Sequence, residues 1–151
     1  MYTVDQVAEW FLSKDSMTHK KLQKLLYYAY SWTLTLMNDD KEDLKFRLFD
    51  EKIEAWVHGP VIPKIYQNYK YHEYNTIFKI NKEVDLGDKD VEGILEQVLE
   101  VYGEYDGNEL ESITHQEEPW QEARKGYGPL DRCNEVINDK TIFETYIKRV
   151  A

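Results

Sequence analysis

One stretch near the amino end constrains the fold more than any other part of the chain. Residues 22–37, LQKLLYYAYSWTLTLM, repeat apolar or aromatic side chains at intervals of three and four, which is the spacing of one helix face. Most of the remaining circumference is filled by Tyr27, Tyr28, Tyr30 and Leu34. A helix that is apolar almost all round cannot lie on a surface, because only a narrow stripe would be buried there. We therefore predict a buried central helix with the other elements packed around it.

The sequence on either side of this stretch predicts a mainly α fold with a small β element. Thr3 and Gln6 have the spacing of a capping box ahead of a first short helix, and Thr18 is the expected N-cap of the central helix. A small β-hairpin is expected where residues 48–49 and 53–57 flank a polar turn. Later helices are predicted to begin at Pro63, at Asp88 or Asp90, near Asn108, at Pro119, and at Asn138 or Asp139. The expected fold class is α+β, mainly α: a compact multi-helix domain around a buried central helix, with a small β-hairpin or short sheet.

Composition and length are those of an ordinary globular protein. The 151 residues correspond to a single domain, 1–151, and 42% of them are hydrophobic, which is enough for a real core. No apolar run reaches the roughly 18 residues of a membrane span, and residues 1–14 lack the pattern of a signal peptide. The lone Cys133 rules out a disulfide framework within one chain. A soluble, cytoplasmic protein without a membrane partner is expected.

The net charge of −10 is unevenly distributed. Residues 83–122 contain fourteen carboxylates and one base, Lys89, which gives this acidic segment about −13 and leaves about +3 for the rest of the chain. An acidic surface repels phosphate, so non-specific nucleic-acid binding by this segment is not expected. The segment either favours encounter with a basic protein or is a solvated helix face that keeps the protein soluble.

Lys20, Lys21 and Lys24 stand at the start of the predicted central helix, where the helix dipole disfavours cations. The sequence allows three interpretations: a solvated face, a basic site for an acidic partner, or a contact with the chain's own acidic segment. Of these, a solvated face is expected. A nucleic-acid module would need a continuous basic face that includes these lysines, and the overall acidity disfavours it.

The chain carries no motif of a familiar catalytic or nucleotide-binding type. It lacks G-x-S-x-G, a Walker loop, H-E-x-x-H and a glycine-rich dinucleotide turn. One cysteine and four scattered histidines argue against a structural zinc site, and no metal or cofactor is expected. If the fold brought His58 and His115 together with Glu117, a small hydrolase-like or metal-dependent enzyme would be the alternative to a binding domain. We expect instead that each imidazole bonds to backbone at a loop bend.

Aromatic side chains are the other candidates for a functional surface. A buried Trp removes about 200 Å² from water, but Trp and Tyr are also favoured anchors at protein interfaces. Trp32 and Trp56 are expected to be core residues, whereas Trp120 fits either role. Four tyrosines follow the predicted hairpin at short intervals: Tyr66, Tyr69, Tyr71 and Tyr74. A helix that buries Tyr66 and Tyr69 leaves Tyr71 and Tyr74 partly exposed.

Three blocks of sequence occur in a recognisable order. They are LQKLLYYA at 22–29, IEAWVHGPVIP at 53–63 with Tyr66 after it, and THQEEPWQEAR at 114–124. Together they resemble the Panacea antitoxin domain family, a SocA-like, phage-associated family. The resemblance extends over nearly the whole chain, which implies a bare Panacea-type domain without an appended DNA-binding segment. The family's motif positions in this chain are Leu22, Lys24, Leu25, Leu26, Tyr27, Trp56, Gly59, Pro60, Val61, His115, Pro119, Trp120 and Arg124.

The resemblance implies a bacterial or prophage protein that acts as the antitoxin of a toxin–antitoxin pair. Family members neutralise toxins of unrelated folds by direct contact, and some act as adaptors that hand the toxin to a protease. The implied partners are a protein toxin and, through adaptor function, a protease complex. The family supplies no catalytic residues to carry over. The candidate partner-binding or motif residues are Tyr27, Trp56, His58, Gly59, Pro60, Tyr66, His115, Pro119, Trp120 and Arg124. The acidic segment and the aromatic side chains near 56–74 and 120 are the candidate contact surfaces.

Overall fold

The central helix is buried along almost its whole length. The computed structural model describes residues 1–150, and this helix, α2, occupies His19–Leu36 of them. Tyr27 is 1% exposed and Tyr28 0%, and every leucine of α2 before Leu36 is fully buried. The prediction of a buried central helix in a mainly α fold with short sheets is therefore confirmed. In chain order the elements are α1 (Val4–Lys14), β1 (Met17–Thr18), α2, β2 (Glu54–Trp56), β3 (Gly59–Val61), α3 (Pro63–Tyr69), β4 (Thr76–Ile77), α4 (Lys89–Tyr102), α5 (Gly107–His115), α6 (Glu118–Ala123) and α7 (Asp139–Ile147).

Side-chain caps set the start of most helices where the sequence predicts them. Thr3 and Gln6 form a reciprocal capping box at α1, and Thr18 caps α2. Asp88 and Asn138 each accept backbone hydrogen bonds at the first turns of α4 and α7. The capped helices α1, α4, α5 and α7, together with α3, all pack against α2. Among the described residues, no helix combines the length and the apolar character needed to cross a membrane.

The β-hairpin forms with a different second strand from the one predicted. β2 pairs antiparallel with β3 through a turn at residues 57–58, whereas residues 48–49 lie apart from it. Gly59 adopts φ +107°, a backbone conformation that residues with a Cβ rarely adopt. The chain therefore reverses just before Gly59, which is the first residue of β3.

A second short sheet supports the amino end of α2. β1 pairs antiparallel with β4, and Met17 lies opposite Ile77. Val136 forms a single bridge with Glu54, which extends the outer edge of the hairpin.

Candidate partner-binding site

Lys24 lies inside the protein, beneath the β2–β3 hairpin. It is only 2% exposed, because β3 packs on α2, and its Nζ donates a hydrogen bond to the Pro60 carbonyl oxygen at 3.1 Å. Gly59 is required by its backbone angle, and a Cβ atom at this position would stand 2.6 Å from Lys24 Cε and displace the end of that side chain. The expected solvated lysine face is wrong for Lys24, since the hairpin covers it.

Lys20 and Lys21 bind the chain's own acidic segment. Lys20 Nζ lies 2.7 Å from Glu111 Oε1 on α5, and Lys21 donates to the carbonyl oxygen of Gly103 at the end of α4. The expectation that these two lysines are simply solvated is therefore also wrong. Burial and the charge of Lys20 lower the pKa of Lys24 to about 7, against the opposing attraction of Glu111.

Replacing Lys24 with methionine tests the consequence of this burial. The pKa of Lys24 is about 7 in the folded chain against 10.5 for an ordinary lysine. Between these values the unfolded chain holds one more proton than the folded chain, so wild-type stability rises with pH there. Below about pH 7 the folded wild type bears the full free-energy cost of a charged, buried Lys24. This cost is about 1.4 kcal/mol for each pH unit by which the pKa is lowered. The lost bond to Pro60 offsets part of the gain, so we expect Lys24→Met to be more stable by about 2 kcal/mol near pH 6.

Urea unfolding of both proteins from about pH 6 to about pH 9 checks this result. The advantage of Lys24→Met is expected to shrink as the pH rises through the pKa of Lys24. Lys125→Met, at an exposed position, is the matched control and should leave the pH profile of wild type unchanged. A stability difference of the same size at both ends of the range would contradict a buried amine that titrates near neutrality.

Motif residues at the ends of α5 and α6 also hold the hairpin. Trp120 Nε1 donates to the Trp56 carbonyl oxygen at 2.8 Å, and Arg124 Nη1 donates to the Ala55 carbonyl oxygen at 3.0 Å. The His115 ring stacks on the Trp120 indole, with ring centroids 3.9 Å apart. Arg124 is buried and Trp120 is half-buried, so both fix the position of β2 from within the protein.

His58 and Glu117 each contact other side chains, so the two histidines and Glu117 do not form a catalytic constellation. His58 stands at the exposed hairpin turn with Nδ1 3.3 Å from Glu111 Oε2, so it contacts a carboxylate and not the backbone as expected. His115 is half-buried, and burial lowers its pKa. Glu117 is buried and bound by other side chains. Within residues 1–150, no group of three or more His, Cys, Asp or Glu side chains could hold a metal ion.

Glu117 is the centre of a buried network that the sequence did not indicate. Its Oε1 accepts hydrogen bonds from the hydroxyls of Tyr28 at 2.7 Å and Tyr146 at 2.9 Å, and its Oε2 accepts from Arg149 at 2.7 Å. Burial and the charge of Glu117 raise the pKa of Tyr28, which keeps that hydroxyl protonated as a donor. The three partners are 89, 29 and 32 positions away, so no local pattern marks this site.

A groove opens beside the hairpin. Half-buried Trp56 and Tyr66 form its aromatic part, with ring centroids 5.0 Å apart in an edge arrangement, and His58, Leu130 and Arg132 are exposed around it. The groove has a volume of about 510 Å³. We call this surface, defined by those five residues, the hairpin groove. The expectation that Trp56 belongs to the core is wrong, because side chains alternate along β2 and its neighbour Ala55 takes the inward position.

Comparison with known protein families shows to which family the chain belongs. The family model described as antitoxin SocA-like, Panacea domain, matches residues 22–121. The chain belongs to this Panacea family. Membership gives it an antitoxin-type role, not an enzymatic one, and implies a toxin as its partner in general. No curated protein and no solved structure matches the chain.

In this Panacea domain the predicted site residues divide into two groups. One group is half-buried or exposed around the hairpin: Trp56, His58, Tyr66, His115 and Trp120. The other group is buried and holds the fold together: Tyr27, Gly59, Pro60, Pro119 and Arg124. Tyr27, for example, bonds to the Tyr146 hydroxyl at 2.9 Å in the core. Sequence reasoning missed Leu130 and Arg132, which lie outside every motif block.

Proposed function

We propose that this Panacea domain neutralises a protein toxin by direct contact through the hairpin groove. One observation carries the proposal: Lys24, Trp120 and Arg124, three of the motif residues, donate hydrogen bonds to carbonyl oxygens of a single hairpin. These bonds hold the hairpin in position, and Trp56 is left half-exposed in the adjoining groove.

The chemistry of the hairpin groove favours a protein partner. Trp and Tyr carry much of the binding energy at interfaces, because each offers a large rigid surface with one polar atom. Trp56 Nε1 is held by Glu54 Oε1 at 2.8 Å, which orients the indole before any partner arrives. Arg132 and His58 at the edge add donors for a carboxylate of the partner. The toxin surface that complements this groove carries an apolar side chain that fits between the aromatic rings and an acidic residue next to it.

The test begins with a search beside the gene for an open reading frame whose product is toxic, and this toxin is then co-expressed with the protein. We expect Trp56→Ala and Tyr66→Ala to abolish protection against the toxin and to weaken the purified complex at least about tenfold. Because Trp56 is half-buried, its truncation should lower the free energy of unfolding by only about 1–2 kcal/mol. Tyr74→Ala is the control, since Tyr74 is 93% exposed and does not line the hairpin groove.

Full protection and unchanged affinity in folded Trp56→Ala would contradict the proposal. The half-life of the toxin in the same cells separates two modes of neutralisation. Blockade leaves the toxin as long-lived as before, whereas adaptor action on behalf of a protease shortens its half-life. We propose blockade, so a toxin half-life that falls when the antitoxin is present would reject that part.

A further inference from the structure

The two strands of the β2–β3 hairpin are anchored at different places. β2 is held from α6 by Trp120 and Arg124, which donate hydrogen bonds to carbonyl oxygens of this strand. β3 is held on α2 at its far end, where the Gln23 side chain bonds to both the N–H and the carbonyl oxygen of Ile62. Residues 57–61 lie between these anchors, and we call them the hairpin tip. The anchors fix both ends of the hairpin tip and leave its middle to other contacts.

The hairpin tip covers the amine of Lys24. In the part of the chain that the structure describes, Lys24 Nζ has a single protein acceptor, the Pro60 carbonyl oxygen at 3.1 Å. An ammonium group has three N–H donors, and burying it with too few acceptors is costly. The Lys24 side chain is only 2% exposed beneath the closed tip. A charged amine therefore favours a lifted tip that admits water, whereas a neutral amine favours the closed tip.

The charged groups around Lys24 do not provide the acceptors that its ammonium form requires. The Glu111 carboxylate on α5 attracts Lys24 but is bound to Lys20 at 2.7 Å and to His58 at 3.3 Å. Lys20, one turn earlier on α2, repels a second positive charge. β3 consists of Gly, Pro and Val and contributes no titratable side chain. Burial, followed by the charge of Lys20, lowers the pKa of Lys24 to about 7.

Lifting of the hairpin tip is therefore coupled to uptake of a proton by Lys24. An ordinary, solvated lysine has a pKa of 10.5. Between about pH 7 and about pH 10 the closed tip covers a neutral amine and the lifted tip exposes an ammonium group. Burial lowers the pKa of His19 to about 4 and also lowers the pKa of His115, so both rings stay largely neutral in this range.

We propose that the hairpin tip is a pH-sensitive flap, which lifts when Lys24 takes up a proton. β2 remains on α6 and Ile62 remains on α2, so the movement is confined to residues 57–61. Val57, His58 and Val61 of the hairpin tip line the hairpin groove, so the groove is complete only when the tip is closed. Acidification therefore opens the hairpin groove. The further consequence, a weaker toxin complex at lower pH, rests on the proposed function.

Hydrogen–deuterium exchange of backbone amides tests the flap without a toxin. The amides of Gly59 and Val61, which lie opposite Trp56 and Glu54 in the hairpin, report lifting of the tip. The amide of Leu25, in the buried α2, reports unfolding of the whole domain. After correction for intrinsic exchange, we expect the equilibrium constant for lifting to rise about 50-fold from about pH 9 to about pH 7, because lifting takes up one proton.

Three variants assign this pH dependence to its source. Lys24→Met should remove it, whereas His58→Gln and the exposed control Lys125→Met should retain it. Tip amides that exchange no faster than that of Leu25 would overturn the inference, because the tip would then open only with the whole fold. A pH dependence that persists in Lys24→Met would also overturn it and assign the effect to another group. The expected exchange results together with a toxin that does not bind would reject the proposed function and leave the flap established.

Discussion

Replacing Glu117 with alanine is expected to lower the free energy of unfolding by about 3–5 kcal/mol, the largest effect of any single substitution considered for this protein. The variant leaves the Tyr28 hydroxyl buried without its acceptor, and the Tyr146 hydroxyl keeps only its bond to Tyr27. A buried polar group without a partner costs about 1–3 kcal/mol. Arg149 loses its carboxylate as well, but its side chain is 44% exposed and regains water. The change is a large fraction of the roughly 5–15 kcal/mol that stabilises a typical domain.

Chemical denaturation followed by circular dichroism measures this effect, and the melting temperature should fall by about 10 °C. Glu118→Ala is the matched control, since it removes the same side chain from the next, exposed position. Glu117→Gln retains one oxygen for the tyrosines but presents an amide to Arg149, so an intermediate loss is expected. A loss of stability no greater for Glu117→Ala than for Glu118→Ala would show that the network contributes nothing.

Replacing Arg124 with alanine is expected to lower the free energy of unfolding by about 3–4 kcal/mol. Its guanidinium donates to the Ala55 carbonyl oxygen at 3.0 Å, to that of Gly128 at 2.9 Å and to that of Asp131 at 2.7 Å. These bonds join β2 to the loop that carries Leu130 into the hairpin groove. Loss of all three leaves the Ala55 carbonyl buried without a charged donor.

The forked geometry of the Arg124 guanidinium distinguishes its effect on stability from that of a positive charge alone. Arg124→Lys keeps the charge but cannot reach three carbonyls from one fork, so it should restore less than half of the lost stability. Lys125→Ala removes an exposed cation from the next position and should change stability by less than about 0.5 kcal/mol. Denaturation midpoints of the three variants provide the comparison. If Arg124→Lys recovered the full free energy of unfolding, the positive charge, and not the set of three hydrogen bonds, would be what stabilises the hairpin.

Features that depend on local sequence could be predicted from the sequence. The apolar periodicity of α2 and the caps at Thr3, Thr18, Asp88 and Asn138 involve residues within one or two helical turns of each other. The motif blocks also identified the Panacea family, which the match over residues 22–121 confirms. Each of these signals is carried by neighbouring residues, so no knowledge of the folded chain is needed.

Features that depend on distant residues were decided only by the tertiary structure. Lys24 has the sequence context of a surface lysine and becomes buried because a hairpin 36 positions later covers it. Trp56 has the context of a core residue and lines a groove because Ala55 takes the inward position of β2. Composition and periodicity report what each segment prefers, whereas burial depends on which segments meet. The sequence by itself therefore determined the helices and the family, and packing between distant segments decided which residues a partner can reach.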